Sequence, residues 1–154
     1  MGTTNGDGTD SDRDEVCARP TKSDQFPHGD ITRQCIGALY AVHSELGYGF
    51  LEGVYRNALI VALRQAGLKL QREVPFDVQY RGHVVGYYRA DLIVEGAVVL
   101  EVKAAQVIQG SHQAQLRNHL RASGIEVGLL LNFGVAAQFK RLALSASSAS
   151  RCRD

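Results

Sequence analysis

The chain has 154 residues, of which 45% are hydrophobic and 21% charged, as in an ordinary globular protein. This length suffices for one domain with a sizeable core and is short for two. No apolar run approaches the roughly 18 residues that a membrane-spanning helix needs, and the polar, acidic N-terminus does not resemble a secretory signal. We therefore expect a cytoplasmic protein without membrane association. The three widely spaced cysteines predict neither a zinc site nor a disulfide framework.

The net charge of +1 is unevenly distributed along the chain. Residues 1–30 hold seven acidic and three basic side chains, whereas residues 31–154 hold nine acidic and fourteen basic ones. The larger part is moderately basic, which suits a polyanionic partner. Composition also predicts a disordered leader at 1–28 and a disordered Ser-rich tail at 145–154, which leaves one domain at 29–144.

Two helices are predicted at the start of this domain. Apolar residues recur at helical spacing from Ile31 to Leu46, with Asp30 as a candidate N-cap and Gly47 as the residue that ends the helix. A second helix is predicted from Leu51 to Ala66.

Strands are predicted next, at 68–80, 83–94 and 97–104, joined by short turns at Arg81-Gly82 and Glu95-Gly96. They should form an antiparallel meander.

The remaining elements are a helix, a buried strand and a final short element. Ser111 is a candidate cap for a helix through Arg121, and the apolar run Ile125–Phe133 is typical of a strand buried on both faces. Residues 138–144 fit either an edge strand or a short helix. The order of elements predicts an α/β fold with a mixed central sheet flanked by helices.

Candidate chemistry lies on the third predicted strand. Glu101 and Lys103 are two residues apart and so project from the same face. A carboxylate there can bind a hard divalent cation, and the ammonium can orient an attacking water or stabilise charge on a phosphate. Asp91, one strand earlier, would supply the second ligand. The alternative is a weak ion pair on a solvated face, but the aliphatic sequence around the two groups favours a functional role.

The register of the hairpin decides whether Asp91 can take part. A two-residue turn at Glu95-Gly96 would place Asp91 opposite Leu100, and its side chain would then point away from Glu101. A bulge near 89–91 or a three-residue loop would bring the two carboxylates to the same side.

Several motifs together resemble the GxxExxY family of the PD-(D/E)XK nuclease superfamily. They are Gly49-Phe-Leu-Glu52-Gly-Val-Tyr55, Asp91 with Glu101-Val-Lys103, Ala114-Gln115-Leu116, and Leu130-Leu-Asn-Phe-Gly134. One departure is His119, where Tyr is expected, at a position we take to be peripheral to the chemistry. The resemblance implies a restriction-endonuclease-like αβββαβ core and a divalent cation, Mg²⁺ or Mn²⁺.

The resemblance also assigns roles to matching residues. Asp91 and Glu101 would be metal ligands, and Lys103 the catalytic lysine, which would also contact the substrate. Glu52 would be a further helix-borne metal ligand, or else an acid that interacts only with the helix dipole. Gln115 would face the site, or else be an ordinary polar residue of an amphipathic helix.

Tyr55 and the histidines complete the set of candidates. Tyr55, three residues after Glu52, would lie on the same side of the helix and either bind substrate or pack beside the site. The spacing of the five histidines does not favour metal binding, and all are predicted to be non-ligands.

These residues predict a metal-dependent phosphodiesterase that hydrolyses nucleic acid, with DNA favoured over RNA. The alternative is a non-catalytic module with a nuclease fold that binds nucleic acid or a protein. Since a domain of this size has little surface for gripping a duplex, a homodimer or a protein partner is also plausible.

Overall fold

The computed structural model describes residues 27–145, which contain three helices and five strands. In chain order these are α1 (Gly29–Leu46), α2 (Glu52–Gln65), β1 (Leu70–Tyr80), β2 (His83–Val94), β3 (Val98–Lys103), α3 (Gly110–Ser123), β4 (Val127–Phe133) and β5 (Ala137–Ala143). Residues 1–26 and 146–154, which hold most of the predicted leader and tail, lie outside the described part. The domain limits therefore stay a prediction. No helix within 27–145 is long and apolar enough to cross a membrane.

The five strands form one sheet in the order β1-β2-β3-β4-β5. Strands β1, β2 and β3 form the predicted antiparallel meander. The β3–β4 pair is parallel, because α3 carries the chain back to the starting edge, and β5 pairs antiparallel with β4. The structure confirms an α/β fold with a mixed sheet, and the last predicted element is an edge strand rather than a helix.

The two faces of the sheet carry separate cores. One face, here called the α1/α2 face, packs against both N-terminal helices through a larger cluster that includes Cys35, Leu39, Leu59, Leu63, Leu92, Leu100, Leu129 and Phe133. The other, the α3 face, packs against α3 through Ala90, Ile93, Val99, Leu116, Leu120 and Leu130. Every residue of β4 is buried, as the continuous apolar run predicts for a strand covered on both faces.

The starts of two helices differ from the predictions. His28, in the left-handed region at φ 58°, is the N-cap of α1, and Asp30 lies inside the first turn. An acid there meets the positive end of the helix dipole without capping it. The N-cap of helix α3 is Gln109 and not Ser111. A side chain from within the first turn stabilises this start, because His112 Nδ1 accepts the Gln109 N–H at 3.1 Å.

The connection between β2 and β3 has three residues and not two. Val94 pairs with Val98, and the Ala97 N–H donates to the Val94 carbonyl at 3.0 Å. Glu95 and Gly96 both adopt positive φ, and Glu95 Oε1 also accepts the Lys69 N–H at 2.7 Å. The extra residue shifts the register by one position. The last observed pair is Leu92 with Leu100. If the same register continued by one residue, Asp91 would lie opposite Glu101.

Candidate active site

Asp91 lies where β2 is irregular. The pairing of β2 with β3 ends at Leu92 and Leu100, and beyond it Asp91 Oδ2 accepts the Val102 N–H at 2.8 Å. Leu92 packs on the α1/α2 face, but Ala90 packs on the α3 face, so the normal alternation of sides is interrupted at Asp91. Because of this break, the Asp91 carboxylate can bond to the backbone of β3 at Val102 instead of projecting from one face of the sheet.

Arg56 of α2 binds the other oxygen of Asp91. Its Nη1 atom lies 3.1 Å from Asp91 Oδ1, and its Nη2 atom lies 3.9 Å from a carboxylate oxygen of Glu73. Glu73 itself has a positive φ of 48° within β1. Our sequence analysis did not identify Arg56. Its position one helical turn after Glu52, on the same side of α2, is the signal that could have indicated it.

Glu101 is nearly fully buried on β3, and His119 of α3 is its partner. The His119 Nδ1 atom lies 2.7 Å from Glu101 Oε1. Burial is the largest influence on this carboxyl and raises its pKa, while the hydrogen bond from His119 acts in the opposite direction. The charge of Asp91 raises the pKa of Glu101 further.

His119 is held in place by aromatic packing. Its ring stacks on Tyr88 with centroids 3.8 Å apart and planes within 9°, and Phe76 stacks on the same tyrosine. The Tyr88 hydroxyl donates to the His119 carbonyl at 2.6 Å, and burial raises the pKa of Tyr88 to about 12. The prediction that His119 is peripheral was wrong, because α3 crosses the face of the sheet that carries Glu101.

Lys103 and Gln115 are brought together as their sequence motifs suggest. Lys103 Nζ donates to Gln115 Oε1 at 3.2 Å, at the carboxyl end of β3. The glutamine side chain of α3 is exposed, and it reaches toward the lysine at the surface of the domain.

Tyr55 has a structural role. It is fully buried, stacks on Phe133 with centroids 4.3 Å apart, and its hydroxyl donates to the Gly47 carbonyl at 2.8 Å. The same oxygen accepts the Phe50 N–H at 3.2 Å. These contacts correspond to the packing role and correct the substrate-binding assignment, since no surface of Tyr55 is open to a ligand.

Glu52 is exposed in the first turn of α2 and lines a cleft of about 760 Å³. The cleft also borders Arg56 and residues 104–106, which follow Lys103 directly. Within residues 27–145, no group of three or more His, Cys, Asp and Glu side chains is arranged to hold a metal ion. The structure thus places Asp91 and Glu101 on neighbouring strands and leaves Glu52 on the cleft wall, and the roles of all three as metal ligands stay predictions.

A family model describing the PD-(D/E)XK nuclease superfamily matches residues 29–142, nearly the whole described part of the chain. The chain belongs to this superfamily. Among solved structures, that of SSO0001 is similar, with a TM-score of 0.47 and 21% sequence identity. The match covers 79% of this chain and 62% of that one, so this chain spans less than two thirds of the SSO0001 chain. No curated protein is detectably similar in sequence.

Membership in the PD-(D/E)XK superfamily agrees with the mixed sheet flanked by helices and confirms the restriction-endonuclease-like fold. Proteins of this superfamily generally use divalent metals. Mg²⁺ is commonly held by one or two carboxylates and keeps several of its waters. Asp91 and Glu101 would be the residues to hold such a cation, and this role stays a prediction.

Proposed function

We propose that this domain is a metal-dependent nuclease that hydrolyses phosphodiester bonds, with DNA favoured over RNA as the substrate. The observation that carries the proposal is that Asp91 bonds to β3 between Glu101 and Lys103, because its Oδ2 atom accepts the Val102 N–H at 2.8 Å. A buried carboxylate is costly to maintain, and its retention beside a second acid is typical of an active site. Within the superfamily, the segment Gly49–Tyr55 supports assignment to the GxxExxY family.

Each residue has a distinct task in this proposal. A divalent cation, Mg²⁺ or Mn²⁺, held by Asp91 and Glu101 would supply Lewis-acid polarisation and lower the pKa of a bound water. Lys103 orients the attacking water and stabilises charge on the phosphate, and Gln115 fixes the direction of the Lys103 ammonium. His119 holds Glu101 in one orientation, and the Val102 N–H does the same for Asp91.

A second candidate function follows from Arg56. Its guanidinium contacts Asp91 Oδ1, so a fixed positive charge already neutralises one of the two acids. This arrangement would suit a non-catalytic module that binds nucleic acid or a protein through a nuclease fold. The two functions differ in whether a divalent cation can compete with Arg56 for Asp91.

Calorimetric titration with Mn²⁺ distinguishes these functions without a substrate. The nuclease proposal expects saturable binding by the wild type and its loss in Glu101→Gln, a change that keeps the shape of the side chain. Glu126→Gln, near the start of β4, is the matched control and should bind as the wild type does. Absence of Mn²⁺ binding by the wild type, together with no cleavage of single- or double-stranded DNA or RNA, would favour the non-catalytic module.

The remaining assignments are predictions from the sequence. A homodimer or a protein partner would extend the small surface available for nucleic acid, and size-exclusion chromatography with light scattering tests this. The cytoplasmic location is tested by fractionating cells that produce the full chain.

A further inference from the structure

A cleft lies beside the candidate active site, and its lining contains neither Asp91, Glu101 nor Lys103 but does contain neighbours of Asp91 and Lys103. One wall is formed by residues 104–106, which directly follow Lys103, and another by Glu52 and Arg56 at the start of α2. Arg56 connects the cleft with the acids, because its guanidinium contacts Asp91. A nucleotide next to a phosphate held at Asp91 would therefore lie near this cleft.

Hydrogen bonds hold the inner wall of the cleft. The Asn132 side chain both donates to the Ala105 carbonyl and accepts the Ala105 N–H, each at 2.9 Å. His43 Nε2 lies 2.9 Å from the Gly134 carbonyl. A Cβ atom at Gly134 would come within 2.6 Å of the Ala105 carbonyl oxygen, so the two segments approach as closely as glycine allows.

The outer wall is held through Tyr55. Its hydroxyl links the Gly47 carbonyl to the Phe50 N–H, which fixes the loop before α2. The Phe50 ring also meets Tyr55 edge to face, with centroids 6.0 Å apart. The cleft is therefore preformed and does not depend on a ligand to assemble it.

The lining of this cleft suits a flat, uncharged ligand better than a phosphate. Tyr48 is 63% exposed, Phe50 47% and Leu51 83%, so three large apolar side chains present surface at the cleft. The charged residues of the lining are Arg56, which is engaged by Asp91 and Glu73, and the opposing acid Glu52. Aromatic faces beside a nucleic-acid path are the usual platforms on which unpaired bases stack.

We propose that this cleft binds an unstacked nucleobase from a nucleotide adjacent to the scissile phosphate, with Tyr48 and Phe50 as the stacking residues. This inference rests on the proposed nuclease function and defines its substrate class. The substrate is single-stranded, or unpaired, at the point of cleavage. In an intact duplex the bases are stacked and paired, and a base pair must open, at a cost in free energy, before a base can enter the cleft.

The test measures binding of labelled oligonucleotides by fluorescence anisotropy, in EDTA so that no strand is cut. The variants Tyr48→Leu and Phe50→Leu keep apolar volume but remove the aromatic face. Tyr87→Leu is the matched control, since Tyr87 is 76% exposed on β2 and does not line the cleft. A stacked base contributes enough that each cleft variant should bind a single strand about tenfold more weakly, while the control binds as the wild type does.

An abasic scan makes the test specific for a base. A single abasic nucleotide is moved along the strand, and at one position it should weaken wild-type binding about tenfold. The same abasic nucleotide should have little effect on oligonucleotide binding by Tyr48→Leu, because this variant has already lost the stacking contact with the base. Equal binding of Tyr48→Leu, Phe50→Leu and wild type, or equal wild-type affinity for strand and duplex, would overturn the inference.

Cleavage assays with Mn²⁺ separate this inference from the nuclease proposal. If the wild type cleaves nucleic acid and the leucine variants keep its affinity and strand preference, the nuclease proposal is supported and the base-binding cleft is refuted. Position-specific loss at the abasic site without cleavage supports the cleft and refutes the nuclease.

Discussion

Asp91 and Glu101 lie on adjacent strands, but their side chains are bonded by residues from opposite layers of the molecule. Asp91 is partly exposed and is paired with a guanidinium from α2, whereas Glu101 is nearly buried and bonded to an imidazole from α3. A guanidinium is always charged, so Asp91 lies beside a fixed positive charge. Burial instead raises the pKa of Glu101, and His119 opposes that effect only in part. The same chemical group is thus given two different environments within one site.

The largest expected effect tests whether the two acids act as one site with the lysine. Lys103→Ala and Asp91→Asn should each lower the rate of Mn²⁺-dependent cleavage by about a thousandfold or more, a loss in the range seen when a group acting directly on the transition state is removed. Cleavage of a labelled oligonucleotide is the assay, and thermal unfolding checks that each variant is folded. Lys69→Ala, before β1, is the control for loss of a positive charge. Full activity in either site variant would exclude that residue from catalysis.

The next prediction concerns the support of Glu101. His119→Ala removes the hydrogen bond and the stacking on Tyr88, and it leaves a buried carboxylate without its partner. Loss of such a partner costs about 1–3 kcal/mol, so the melting temperature should fall by several degrees. Differential scanning calorimetry measures this, with His83→Ala, at an exposed position at the start of β2, as the control. If His119→Ala and His83→Ala have the same melting temperature, His119 does not stabilise Glu101.

Burial of Glu101 also predicts a dependence of stability on pH. A carboxyl whose pKa is raised in the folded state binds its proton more tightly there than in the unfolded chain. Its unfavourable contribution is absent below the unfolded pKa and grows as pH rises through the folded pKa. Glu101→Gln should therefore be more stable than wild type at pH 7, with a difference that shrinks as pH falls toward 4. Denaturant unfolding across this range measures it, and a difference independent of pH would contradict the assignment.

The smallest expected effect concerns Arg56. Arg56→Gln removes a fixed charge from Asp91, and since this pair is partly exposed its contribution to stability should stay below about 1 kcal/mol. The variant should bind Mn²⁺ up to about fivefold more tightly, because about 1 kcal/mol corresponds to about a fivefold change in affinity. Calorimetry is the measurement, and Arg64→Gln, exposed near the end of α2, is the control. Weaker Mn²⁺ binding would show that Arg56 supports the site instead of competing for it.

The amino-acid sequence by itself was enough to predict the order of the elements, the mixed sheet and the superfamily. The reason is local: helical spacing, strand alternation and the buried run ending at Phe133 each depend on residues close together in the chain. The same holds for Glu101 and Lys103, whose shared face follows from their two-residue spacing alone. The sequence left open whether a three-residue loop or a bulge near 89–91 would turn Asp91 toward Glu101. The structure has the three-residue loop, and β2 is also irregular at Asp91.

The partners of the two acids were decided by tertiary structure alone. Arg56 and Asp91 are 35 residues apart, and His119 and Glu101 are 18 apart on different elements. Such contacts depend on how helices pack across a sheet, which neither propensity nor spacing specifies. The burial of Tyr55 depends in the same way on Phe133 and Gly47. Sequence thus placed the acids on their strands, whereas packing of α2 and α3 against opposite faces determined which side chain each acid meets.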